Sequence, residues 1–92
     1  MSIFETFEHN GKTYEIRSAQ DGGLIRVRAF LDGKPANGYE YTVELISVID
    51  AKMAEFPVDL MGQLATTAAN DVRQGYWEQY VAAVQEHDRQ RT

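Results

Sequence analysis

Two histidines, three serines and no cysteine are the obvious catalytic stock of this chain. His9 lies beside an Asn-Gly turn and His87 near the C-terminus, both places where a solvated imidazole is the plain reading. Ser2, Ser18 and Ser47 lack the tight glycine-flanked turn that exposes a hydrolase nucleophile. Asp21-Gly22-Gly23 has neither the lysine nor the following helix of a phosphate-binding loop. Without cysteine there is no disulfide, thiol nucleophile or thiolate metal site. The carboxylates are numerous but dispersed. Glu5 and Glu15 approach on adjacent strands, where glutamate ordinarily keeps a sheet face soluble. Asp59 is placed to cap a helix, and Asp71 is expected to meet a strand arginine across the helix–sheet seam. The reading is a non-enzymatic protein with no cofactor and no metal site.

Two groups of residues are better suited to binding than to catalysis. Phe4, Arg17, Arg26, Arg28 and Phe30 fall on one face of the expected strands. Arginine beside aromatics is the chemistry of a single-strand nucleic acid platform, because rings stack bases and cations hold phosphates. Glu8 and Glu15 share that face, and alternating arginine is also the ordinary way to solubilise a strand, so nucleic acid is an unfavoured alternative. The second group is Tyr76, Trp77, Tyr80, Val81 and Val84. Residues four apart share a helix face, and Trp77 lies about 100° around the helix from Tyr76. If Tyr76, Tyr80 and Val84 face the core, Trp77 and Val81 make a second stripe of the kind that marks partner contacts. One wide buried face would account for all five equally well. Met53, Phe56 and Met61 carry the same ambiguity.

The elements that position these residues change near Val43. Five of the seven glycines precede it, and Asn10-Gly11, Asp32-Gly33 and Asn37-Gly38 are tight-turn pairs between short alternating runs. A hairpin centred on Asn10-Gly11 pairs Phe7 with Tyr14, Glu5 with Ile16 and Ile3 with Ser18. Ile3, Phe7, Tyr14 and Ile16 then share the core face. Ala19 to Gly23 reads as a loop. Leu24 to Leu31 alternates Ile25, Val27, Ala29 and Leu31 against Leu24, Arg26, Arg28 and Phe30, a half-buried strand with its arginines outside. Pro35 and Asn37-Gly38 make the fourth strand short or irregular, with Tyr39–Val43 its productive part.

Beyond Val43 the spacing becomes helical. A first helix spans about 44–55, capped by Thr42 or Ser47 and ended by Phe56-Pro57. From Leu60, the residues Leu64, Ala68 and Val72 recur with Met61, Ala65 and Ala69 beside them, and Gly75 breaks or kinks the run. Residues from Glu86 onward are polar and expected to fray. The chain therefore reads as one domain over 1–92: a hairpin sheet over 1–42, helices over 43–89 and a frayed tail over 90–92. The fold class is α+β, an antiparallel three- to four-stranded sheet followed by two or three helices packed on one face.

The net charge is −5, of which −1 falls in residues 1–42 and −4 in the rest. An acidic chain is repelled by phosphate backbones. The N-terminus has no basic, apolar leader, and no run approaches the roughly 20 apolar residues of a membrane span. A soluble, cytoplasmic protein is expected. The leading function is an interaction module, a homodimer formed through the helical half. The alternatives are nucleic acid on the outer sheet face, or a small ligand between sheet and helices near Tyr14, Tyr39 or Tyr41.

Overall fold

The computed structural model describes residues 2–90. Positive φ at two consecutive residues is what a two-residue I′ hairpin turn demands, and it occurs twice. Asn10 and Gly11 (φ 52° and 75°) join β1 (Ser2–His9) to β2 (Lys12–Asp21), and Asp32 and Gly33 (φ 52° and 77°) join β3 (Leu24–Leu31) to β4 (Lys34–Pro35). The stretch from Ala19, expected as a loop, instead continues β2 to Asp21. The turn there is confined to Gly22-Gly23, and Asp21 pairs with Leu24. The expected fourth strand is two short pieces. β4 pairs with Phe30 and Leu31, and β5 (Tyr41–Glu44) pairs with Leu24–Val27. Both lie end to end along the same edge of β3, with residues 36–40 looping out between them. The sheet is antiparallel in the order β1-β2-β3-β4, with β5 also on β3.

The register of the first hairpin matches expectation from Glu5 to Lys12: Phe7 faces Tyr14 and Glu5 faces Ile16. Beyond Glu5 it slips. A bulge between Ile3 and Glu5 sets Ile3 against Arg17, because one extra residue on β1 inverts every side chain after it. Ile3 therefore leaves the core face expected for it and is 59% exposed.

Among the described residues three helices follow: α1 (Leu45–Met53), α2 (Leu60–Gln74) and α3 (Tyr76–Gln90). α1 uses neither Thr42 nor Ser47 as its cap. The cap residue is Glu44, which makes no side-chain bond to the helix, and the Leu45 N–H donates instead to the Gly23 carbonyl at 2.8 Å. This ties the helix start to the β2–β3 turn. Asp59 caps α2 as expected, accepting from Gly62 N–H at 3.0 Å. Gly75 ends α2 in the left-handed conformation (φ 64°, ψ 32°), which costs glycine nothing. Its carbonyl at once accepts from Gln79 N–H, so α3 starts in a new direction. α3 continues through Gln90, and residues 91–92 of the expected tail lie outside the described residues.

The core is the seam between α2 and the inner sheet face. Ala65, Ala68 and Ala69 are buried against Phe7, Ile16, Val27 and Ala29. Small side chains on α2 let its axis approach the sheet closely. Ile16 and Val27 are fully buried, each contributing about 1.5–3 kcal/mol. Tyr14, Ile25, Tyr41, Met61, Leu64 and Val72 pack around them. Arg17, Arg26 and Arg28 point to the opposite face, as the alternation requires. This is an α+β fold with an N-terminal antiparallel sheet.

Candidate interaction surface

The radius of gyration is 15.7 Å and the extents are 54 × 32 × 25 Å. A compact chain of this length has a radius near about 12 Å. Much of the excess comes from α3. Every residue from Ala82 to Arg89 is exposed. The five residues singled out on this helix all fall within it, but the stripes are reversed. Tyr76, Tyr80 and Val84 are 49, 56 and 41% exposed, whereas Trp77 and Val81 are half-buried. The reason lies in the loop over residues 36–40. Asn37 Oδ1 accepts from Tyr39 N–H at 3.0 Å and the Asn37 carbonyl accepts from Arg28 at 2.8 Å. The loop so fixed presents Gly38 and Tyr39 to the Trp77 ring. Tyr39 meets that ring edge-on at 5.3 Å between centroids, and Tyr80 continues the chain of rings at 5.7 Å. Trp77 lies so close over Gly38 that no Cβ would fit there. It anchors α3 to its own chain, and the outward stripe is left uncovered.

The outer sheet face brings the arginines and Phe30 together but occupies them. Arg17 pairs with Glu15 at 2.8 Å and stacks over Phe30 at 4.6 Å. Arg26 pairs with Asp21 at 3.1 Å, and Arg28 lies 3.8 Å from Glu40. Arg17 and Arg28 oppose each other across β2 and β3, and these carboxylates offset their repulsion. Three cations facing three anions leave little field for phosphate, and Phe30, 9% exposed beneath Arg17, has no free face for a base. Phe4, in the bulge, is exposed and separate.

Asp71 does not meet a strand arginine. The helices cover the face opposite the arginines, and its carboxylate instead accepts from the Tyr41 hydroxyl. Partial burial raises its pKa above the ordinary 3.8. The three tyrosines considered for one ligand site are dispersed: Tyr14 stacks on Phe7, Tyr39 meets Trp77 edge-on, and Tyr41 serves Asp71. His9 lies at its turn, 3.1 Å from the Asn10 amide.

A second exposed apolar region involves α1. Ile46, Ile49 and Met53 fall on one helix face and are exposed, with Leu24 beside them and Phe56 beyond. Leu24, Leu45, Ile46 and Ile49 line a concavity of about 500 Å³. Met53 and Phe56 were already ambiguous in the sequence. Ile46 and Ile49 were missed, although an α1 with apolar residues on both sides signals a second covered face.

Among the described residues, no cluster of three or more histidines or carboxylates is placed to hold a metal, and no helix is long and apolar enough to cross a membrane. No protein-family model, curated protein or solved structure matches this chain.

Proposed function

We propose that the chain is a small non-enzymatic interaction module that pairs with a second copy of itself through α3. The observation that carries this reading is the uncovered stripe of Tyr76, Tyr80 and Val84 on a helix lying away from the core. A two-fold contact uses the same surface twice, so a modest stripe is doubled in effect. The three residues are spaced symmetrically about Tyr80. An antiparallel pairing with its axis at Tyr80 sets Tyr76 against Val84 of the second copy. Trp77, seated on Gly38 and Tyr39, holds the helix in place for this contact. The small core, with four of its seven buried residues alanine, gives a reason to bury further area by association.

Light scattering at micromolar concentration tests the reading. The expected mass is about twice the 10.4 kDa of the chain. Tyr80→Glu places a carboxylate in the stripe, outside the buried core although it gives up the ring contact with Trp77, and should return the mass to that of one chain. A single-chain mass for the unaltered protein up to millimolar concentration sinks the proposal.

A further inference from the structure

The elbow between α2 and α3 lines a cavity of about 530 Å³ against the tip of the first hairpin, within the usual size range of small-ligand sites. His9 and Tyr14 come from the hairpin, and Arg73, Gln74 and Glu78 from the elbow. Arg73 differs from the other arginines of the described residues. Arg17, Arg26, Arg28 and Arg89 each have a carboxylate partner. Among the described residues Arg73 has none within 4 Å. It stacks over Phe7 at 5.0 Å, and Phe7 in turn stacks on Tyr14 at 5.1 Å with the rings nearly parallel. The cation is thus held by rings, with its donors uncommitted. Glu78 likewise has no cation within 4 Å among the described residues. On a continuous helix, residues five apart point about 140° away from each other. The left-handed Gly75 between them turns the chain so that both line one cavity.

An unpaired cation and an unpaired anion that share a cavity without meeting each other complement a ligand carrying both charges. The geometry points to a binding site for a small zwitterion of the amino-acid class, its carboxylate on Arg73 and its ammonium on Glu78. Arginine presents a planar donor fork suited to a carboxylate. The Glu78 carboxylate accepts from an ammonium. Val72, Ala36 and the Tyr14 ring supply apolar wall for the ligand's side chain. The site is built within one chain and does not depend on pairing through α3.

The test is a binding screen on the full chain by thermal shift and amide NMR. The probes are the standard free amino acids and simple dipeptides, each at about 10 mM, enough to register a millimolar Kd. Acetate and methylamine serve as single-charge controls. At least one zwitterion should raise the melting temperature and shift the amides around His9, Arg73 and Gly75, while acetate and methylamine do neither. Preference between free amino acids and dipeptides reports the separation of the two charges. Arg73→Gln and Glu78→Gln, both at exposed positions, should each weaken binding at least tenfold, with circular dichroism showing an intact fold. Three results overturn the assignment: no zwitterion binds, acetate alone binds as well, or binding is indifferent to both substitutions. None of these bears on the light-scattering mass, so failure here and failure of the α3 pairing are separately visible.

Discussion

Gly38→Ala adds one methyl group at the seat of the tryptophan ring. Gly38 does not have positive φ, so alanine meets no backbone strain there and the cost is steric. The new Cβ would fall inside contact distance of three ring carbons of Trp77, and a ring cannot bend. The side chain must leave. Its loss is bounded by what the ring gains in place: one edge-on contact with Tyr39, worth about 0.5–1.5 kcal/mol beyond area, and partial burial. The expected cost is about 1–2 kcal/mol, within the range for overpacking. For a domain of this size that lowers Tm by about 4–16 °C. Trp77 is the only tryptophan, so its emission should shift to the red in the same variant. The decisive measurement is a double-mutant cycle with Trp77→Ala. With the ring gone, Gly38→Ala should cost close to nothing. An equal cost in both backgrounds, or an unshifted emission, refutes the account of how α3 is anchored.

Asp71 makes a prediction in pH. Its folded pKa is raised, so the folded state holds that proton more tightly than the unfolded chain. Its contribution is therefore most favourable below about 3.8 and is lost as pH rises through the folded value. Asp71→Asn keeps an acceptor for Tyr41 and removes the titration. Its stability relative to the parent should improve as pH rises from 3 toward 6, and a pH-independent difference counts against the assignment. Asp59→Ala removes the carboxylate that accepts from Gly62 and should cost about 1 kcal/mol in chemical denaturation, with Asp59→Ser recovering most of it. For the unaltered chain, Tm should rise with protein concentration, whereas Tyr80→Glu should melt at one temperature throughout.

Much of the sheet was legible because its turns leave few choices of residue. Positive φ at paired positions selects Asn-Gly and Asp-Gly, and a strand starting at Leu24 with arginine at alternate positions can bury only its other face. Gly75 was readable for a similar reason. The bulge at Phe4 was not, since an extra residue in an edge strand leaves no mark in side-chain type. The partner of Asp71 was misread because arginines turned out of the sheet cannot reach a helix lying on its inner face. The two expectations excluded each other. On α3 the apolar positions are legible but their direction is not. Tyr76, Tyr80 and Val84 have the same spacing whether they meet their own sheet or nothing. Only the seat at Gly38, set by a loop thirty-nine residues upstream, decides which stripe turns outward.

The irregularity at the start of β1 bears on how copies of this chain can meet. β1 is an unpaired margin of the sheet, eight residues long, and such margins invite a neighbour's strand to extend the ladder. Here the ladder is broken between Ile3 and Glu5, and Glu5 and Glu8 place carboxylates along the strand. Open-ended stacking into fibres is thereby discouraged at the margin most exposed to it. Growth without limit is guarded against in the pleated layer, while the helical layer keeps bare apolar surface on which a closed, finite assembly can form.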